Sequence, residues 1–170
     1  LCYNIRDQVN CRSRVLTLDI MENELSEFIK EDMETQCLNI QAFKKIGLNI
    51  AQGNLDIETS IGEDSVLVEA NLPVIISKGA SRAEQSEFSA TVNMPLGRLY
   101  DSAHDIVNEE AIIGGFDPLI YSVAKTQLTG KPYIIQKLQP YPDKLYLMKI
   151  KNVPLGDEFI FQFFVQGEPR

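Results

Sequence analysis

The chain has 170 residues, of which 44% are hydrophobic, and this is enough to build a sizeable core in one domain. Its formal net charge of −8 disfavours nucleic acid as a partner, because clustered lysine and arginine provide most of the binding to a phosphate backbone. No apolar run approaches the roughly 20 residues of a membrane helix, so membrane attachment is expected only through a segment upstream of Leu1.

Residues 1–18 are expected to form a tether or a disulfide clasp that leads into one α+β domain of residues 19–170. The chain opens at Leu1 without a methionine, which suggests a processed start. Cys2 and Cys11 flank a polar stretch long enough to turn back, and a disulfide between them would stabilise the fold by about 2–3 kcal/mol. The alternative is two unpaired thiols on a frayed terminus. A bridge favours an oxidising, extracellular location.

The first predicted element is a helix over residues 20–46. Apolar side chains recur at every fourth position from Met21 to Cys37, which is the spacing of one helix face. Asp19 is the expected N-cap and Gly47 the expected stop. Since Cys37 falls on the apolar stripe, its thiol is expected to be buried.

An alternation of apolar and polar residues then predicts strands. Residues 55–61 and 66–70 alternate on either side of a turn, which predicts a β-hairpin. Pro73 is expected to end or break the second strand, because proline cannot donate a ladder hydrogen bond. Residues 78–84 are expected to be a polar loop, and residues 88–94 another strand.

A second helix is predicted from Pro95 to the glycine pair Gly114-Gly115. Its apolar stripe includes Leu99, Ala103 and Ile106. The segment of residues 119–126 fits either a short helix or a strand.

Three strands close the chain, at residues 133–138, 145–150 and 159–165. Short turns separate them, which predicts an antiparallel meander. The last strand is apolar on both faces, so a central position is favoured over an edge open to strand addition. The order of elements predicts an α+β fold with a mainly antiparallel sheet, made of the hairpin and the C-terminal meander, packed with two main helices.

No motif assigns a catalytic residue, a metal site or a cofactor. His104 is the only histidine, and Asp101 lies three residues before it on the predicted helix. A metal site or a proton shuttle could be drawn from this pair, but the sequence nominates no further ligand, so a solvated histidine is favoured. Phosphate-binding loops and nucleophile-elbow motifs are absent from the sequence.

The segment FSATVNMPLGRLY at residues 88–100, with the helix that follows it, resembles a strand-to-helix junction in uncharacterised archaeal exported proteins. Residues 34–38 and 68–76 are similar as well. Those proteins are single-pass, N-terminally anchored ectodomains. The resemblance implies a membrane helix upstream of Leu1 and a domain outside the cell, and it carries no activity with it.

Three functions remain open from the sequence. The favoured hypothesis is a non-enzymatic extracytoplasmic domain in cell-surface architecture or assembly, with a protein partner or self-association through an apolar sheet face. The alternative is a module that binds a ligand or peptide in a pocket between the helix of residues 95–113 and the C-terminal meander, with Arg98, Tyr100 and His104 near its rim. A small hydrolase is the third.

Overall fold

The computed structural model describes residues 2–5, 8–11, 16–38, 43, 45–130, 132, 134–140, 142–150 and 159–166. Its contacts divide the chain into two compact units. Unit A is Leu16–Leu96, and unit B is Gly97–Arg170 together with Leu1–Val15. The division into a tether of residues 1–18 and a single domain of residues 19–170 stays a prediction.

The predicted α+β class is confirmed: the described residues form three helices and two antiparallel sheets of four and three strands, besides a short N-terminal hairpin. The elements are β1 Cys2–Ile5, β2 Gln8–Cys11, α1 Leu18–Asp32, β3 Asn49–Gln52, β4 Asp56–Ile61, β5 Val66–Lys78, β6 Ser81–Val92, α2 Leu96–Ile113, α3 Pro118–Thr129, β7 Ile134–Leu138, β8 Lys144–Ile150 and β9 Phe159–Val165.

Helix α1 of unit A begins and ends differently from the prediction. The hydroxyl of Thr17, not Asp19, caps it by accepting from the Ile20 N–H at 3.4 Å. The helix continues as a single π-helical turn, Met33–Cys37. The wider turn rotates the side chains that follow away from the apolar stripe, so Cys37 is exposed and the prediction of a buried thiol is wrong. Residues 39–42 of the predicted helix lie outside the described residues.

Strand β5 is the centre of the sheet in unit A. It pairs antiparallel with β4 and β3 along one side and with β6 on the other, which confirms the predicted hairpin. Pro73 does not end β5, because it lies where the register shifts between Asn71 and Val74, and its carbonyl accepts from Gly53 N–H at 2.8 Å. The predicted loop at residues 78–84 is also wrong: a tight turn at Gly79, with φ of +59°, leads directly into β6.

The core of unit A is small and lies between α1 and one face of the sheet. Its buried members are Leu55, Ile57 and Leu72, against which Ile29 and Met33 of α1 pack.

Helix α1 also covers the outer edge of β4. Ser26 Oγ accepts from Thr59 N–H at 3.0 Å, and a carboxylate oxygen of Glu22 accepts from Ile61 N–H at 2.7 Å. The buried Thr59 hydroxyl donates to the Glu22 carbonyl at 2.6 Å. Two backbone N–H groups at this edge, those of Thr59 and Ile61, are therefore satisfied by a helix in place of another strand.

Unit B contains the predicted meander, β7-β8-β9, and the predicted second helix, α2. Within the described sheet β9 is the last strand, so the expected central position is wrong; the apolar residues on its outer face, Ile160 and Phe164, stay exposed. The core lies between α2 and the sheet. Its buried members are Leu99, Ala103, Ile106, Phe116, Ile135, Tyr146, Met148 and Ile150.

The N-terminal hairpin of β1 and β2 belongs to unit B. Its strands are antiparallel and are joined by residues 6 and 7. The register places Cys2 directly opposite Cys11.

Candidate functional site: the outward face of the third helix

The three residues predicted at a pocket rim all lie on α2. Arg98 and Tyr100 are half-buried, whereas His104 is exposed. The rings of Tyr100 and His104 are 6.1 Å apart, and Asn108 Nδ2 lies 3.0 Å from His104 Nδ1. Side chains of the unit B core fill the space between α2 and the meander. Ligand binding by Arg98, Tyr100 and His104 stays a prediction.

Two open cavities are found among the described residues. One, of about 510 Å³ in unit A, is lined by Lys30, Glu34, Leu38, Gln52, Gly53, Asn54 and Leu55. The other, of about 340 Å³ in unit B, lies beside the start of α3 and is lined by Asp117, Pro118, Leu119, Ser122, Ile134 and Ile135.

The most concentrated polar chemistry of unit B surrounds a buried carboxylate, Glu110, whose side chain is 2% exposed. Lys137 Nζ lies 3.0 Å from Glu110 Oε1, and Lys144 and Tyr146 donate further hydrogen bonds to the same carboxylate. Sequence reasoning missed this residue. The signal was present, because Glu110 follows the buried Ile106 by four positions and therefore shares its helix face.

The hydrogen bonds of this cluster favour the ionised form of Glu110. Burial alone would raise the pKa of Glu110, but hydrogen bonds from Lys144, Tyr146 and Lys137 outweigh burial and lower it. Burial and the hydrogen bond to Glu110 raise the pKa of Tyr146. A carboxylate held ionised and a phenol held neutral exchange protons poorly near neutral pH.

The two lysines of the cluster also fix the end of α2. Lys144 Nζ donates to the Gly114 carbonyl at 3.1 Å, and Lys137 Nζ donates to the Phe116 carbonyl at 3.2 Å. These carbonyls lie where α2 ends and the connection to α3 begins, so the lysines satisfy acceptors that the helix itself cannot.

Helix α3 begins immediately after this connection, in the segment that the sequence left ambiguous. Asp117 caps it, since one carboxylate oxygen accepts from Leu119 N–H at 2.9 Å and from Ile120 N–H at 3.2 Å. Pro118 occupies the first turn, and Gly130 ends the helix with a φ of +66°.

Polar and aromatic side chains attach α3 to α2. Tyr121 donates its hydroxyl proton to Asp105 Oδ2 at 2.6 Å, and Lys125 Nζ lies 3.2 Å from the same oxygen. The Tyr121 ring is 5.2 Å from the ring of Phe116 and 5.1 Å from Lys125 Nζ. Burial and the hydrogen bond to Asp105 raise the pKa of Tyr121 to about 12. The side of α3 that packs against the rest of unit B is therefore largely polar.

The opposite half of α3 is exposed and, apart from Gln127, apolar. Leu119 is 73% exposed, Ile120 69%, Val123 50% and Leu128 82%. With 3.6 residues per turn, these side chains share one half of the helix, and the polar residues that contact unit B occupy the other. We call this surface the α3 outward face; its members are Leu119, Ile120, Val123, Ala124, Gln127 and Leu128. Helix α3 is thus amphipathic, but its polar half packs against the rest of unit B and its apolar half is exposed, which reverses the usual arrangement.

Hydrophobicity near α3 extends to the end of α2. Ile112 is 83% exposed and Ile113 is 72% exposed, both in the last turn of α2.

None of the described helices is both long and apolar enough to cross a membrane. In the described part of the chain, no three histidine, cysteine or acidic residues are grouped as metal ligands would be.

Comparison with known proteins identifies no relative. The chain matches no protein-family model, and no curated protein or solved structure is detectably similar to it.

Proposed function

We propose that this chain is a non-enzymatic extracytoplasmic domain that serves cell-surface assembly, and that it binds another protein through the α3 outward face. The single observation that carries the proposal is the reversed polarity of α3. Its polar side chains, Tyr121 and Lys125, hold it against Asp105 of α2, so its apolar half is held outward.

The energetics favour an interaction surface. Burial of one leucine or isoleucine side chain stabilises a structure by about 1.5–3 kcal/mol, and the side chains of α3 that are 50–82% exposed gain only part of this within unit B. Scattered single apolar residues need no explanation, but a contiguous apolar patch of several hundred Å² marks a contact site. The apolar side chains of α3 are neighbours on a helix that is already formed, so binding a protein through them needs little further ordering.

The non-enzymatic part of the proposal is supported by the Glu110 cluster. Its carboxylate is enclosed by three donors, Lys137, Lys144 and Tyr146, and both lysines are additionally bonded to carbonyls of the α2–α3 connection. This arrangement resembles a packed structural network more than a site prepared for substrate.

The extracytoplasmic part rests on the resemblance to exported ectodomains and on the N-terminal hairpin. Pairs in a two-residue hairpin alternate between hydrogen-bonded and non-hydrogen-bonded, beginning with the bonded pair next to the loop. The pair Cys2 and Cys11 is the fourth from the loop, hence non-bonded. Cα atoms in such pairs are about 4.5 Å apart, within the roughly 4.4–6.8 Å range that a disulfide spans. The register therefore supports a Cys2–Cys11 bridge.

The location can be tested by non-reducing mass spectrometry of freshly isolated native protein. We expect the peptides of Cys2 and Cys11 to be joined, while Cys37 reacts with an alkylating reagent because it is exposed. Free thiols at both N-terminal positions would contradict an oxidising compartment.

The interaction can be tested by photo-crosslinking in the cells that make the protein. A benzophenone amino acid is placed at Gln127, inside the α3 outward face, and in a matched control at Phe28, which is 67% exposed on α1. We expect protein crosslinks from position 127 and few from position 28. Equal yields, or none from position 127, would sink the proposed function.

A further inference from the structure

The side chains of the α3 outward face form three doublets with a constant spacing of four residues. The outer doublets, Leu119-Ile120 and Gln127-Leu128, are large, and the central doublet, Val123-Ala124, is small. The pattern is therefore nearly the same when read from either end of the helix. Rows of side chains four residues apart form the ridges that pack into the grooves of another helix.

Such a palindromic pattern is complementary to itself under a two-fold axis. In an antiparallel pair, Val123-Ala124 of each helix lies at the axis, where small side chains permit close approach. The bulky Leu119-Ile120 of one helix then meets Gln127-Leu128 of the other. The positive end of each helix dipole also lies beside the negative end of its partner.

The distribution of charge also favours pairing of this face with the same face of a second copy. The chain carries a net charge of −8, so most pairs of identical surfaces on two copies repel each other. The α3 outward face has no charged member, and the lysine of α3, Lys125, is directed toward Asp105 instead. An anionic membrane is a poorer match, because helices that lie on such membranes carry lysine and arginine around the apolar face.

We infer that the protein bound by the α3 outward face is a second copy of this chain, paired antiparallel about Val123-Ala124. This inference rests on the proposed function and names its partner. The interface is isologous, so each copy contributes the same residues and the assembly closes as a dimer.

The test is sedimentation equilibrium of the purified chain from about 1 μM to about 1 mM, the range in which a weak dimer forms. We expect the apparent mass to rise toward twice that of one chain. V123E places two like charges at the axis and should keep the mass at one chain throughout. F28E makes the same change on α1 and should dimerise like the unchanged protein.

Circular dichroism shows whether V123E is folded. If V123E is not folded, the test uses L128E instead, because Leu128 is 82% exposed. An unchanged protein that stays at one chain over the whole range overturns the inference. So does a dimer that V123E and L128E leave intact, because it would form elsewhere. If the chain is monomeric but position 127 crosslinks to a different protein, the second copy is wrong and the proposed function stands. A chain that stays monomeric and gives no crosslinks from position 127 contradicts both the inference and the proposed function.

Discussion

The two units of this chain place polar groups in opposite ways. Unit A follows the ordinary pattern: its helix α1 turns apolar residues toward a small core and adds neutral hydroxyl contacts through Ser26 and Thr59. Unit B buries an ionised carboxylate, Glu110, at the boundary of a larger core, and leaves the apolar half of α3 exposed. The difference teaches that polar contacts can orient a helix, here α3 through Asp105, so that its apolar half stays exposed.

This comparison connects stability with function in unit B. Lys137 and Lys144 join the Glu110 carboxylate to the carbonyls that precede α3, and Asp105 on α2 holds Tyr121 and Lys125. Removal of these polar contacts should loosen unit B and leave unit A unchanged. Removal of exposed apolar side chains from the α3 outward face should loosen neither unit.

Among the substitutions of polar residues, the largest effect is expected from E110Q. The change leaves Lys137 and Lys144 without their carboxylate in a largely buried position, and we expect unit B to lose about 2–4 kcal/mol of stability. Native-state hydrogen exchange at the amides of β8, compared with those of β5, localises the loss. D101N, an exposed acid on the same helix, is the matched control. Equal losses at β5 and β8 would contradict independent units.

Acid should weaken unit B through the same residue. The pKa of Glu110 is below its ordinary value of 4.5, so its contribution is full above about pH 4.5 and is lost as the pH falls through the lower, folded-state pKa. Urea unfolding between pH 7 and pH 3, followed by exchange at β8, measures this. E110Q should show a flatter pH profile than the unchanged protein. Identical profiles would remove Glu110 from the acid response.

A smaller loss is expected from T59V in unit A. The variant removes the hydroxyl that donates to the Glu22 carbonyl at 2.6 Å and contacts Ser26 Oγ at 2.6 Å, at a cost of about 1–2 kcal/mol. The loss should be seen at β5 and not at β8. T91V makes the same change at an exposed position of β6 and should be close to neutral. If T59V and T91V have equal effects, the contact between α1 and β4 contributes nothing.

Y121F should cost unit B about 0.5–1.5 kcal/mol, because it removes one hydrogen bond to Asp105. Spectrophotometric titration provides a second measurement. Since the pKa of Tyr121 is raised to about 12, the variant should lose one tyrosine from the high end of the titration curve. A curve for Y121F that keeps the same component at high pH would contradict the assignment.

The smallest effect is expected from L128Q, at less than about 0.5 kcal/mol, because Leu128 is 82% exposed. L99A, in the fully buried core, should cost about 2–5 kcal/mol by comparison. Thermal unfolding of dilute protein compares the two variants. A loss above about 1 kcal/mol for L128Q would mean that this residue is packed rather than exposed.

Periodicity in the sequence predicted most of the architecture. The hairpin of β4 and β5, helix α2 and the C-terminal meander all follow from apolar spacing. The failures were local. Pro73 lies in a strand because a register shift removes the need for its N–H, and a π-helical turn moves Cys37 off the apolar stripe. Neither the register shift nor the π-helical turn has a distinctive residue composition, so helix and strand propensities alone could not reveal them.

The candidate site was harder to predict for a physical reason. A helical wheel of α3 identifies an apolar half, and the ordinary rule assigns that half to the core. The rule fails because Tyr121 and Lys125 have a partner, Asp105, on α2, 16 and 20 positions earlier in the chain. Glu110 is similar, since its lysine partners are on later strands. The exposure of the apolar half of α3 and the burial of Glu110 both depend on pairing between polar groups that are distant in the chain. Such pairing cannot be inferred from the residue pattern of a single sequence.

The most direct test of the central claim, that the α3 outward face is an exposed contact surface, is hydroxyl-radical footprinting of α3. We predict strong oxidation of Leu119, Ile120 and Leu128 in dilute purified protein, and protection of the same residues when the protein is labelled in its assembled state in the cells that make it. Phe28 on α1 should be oxidised equally in both states. Weak oxidation of α3 in dilute protein, or strong oxidation in both states, would contradict the account.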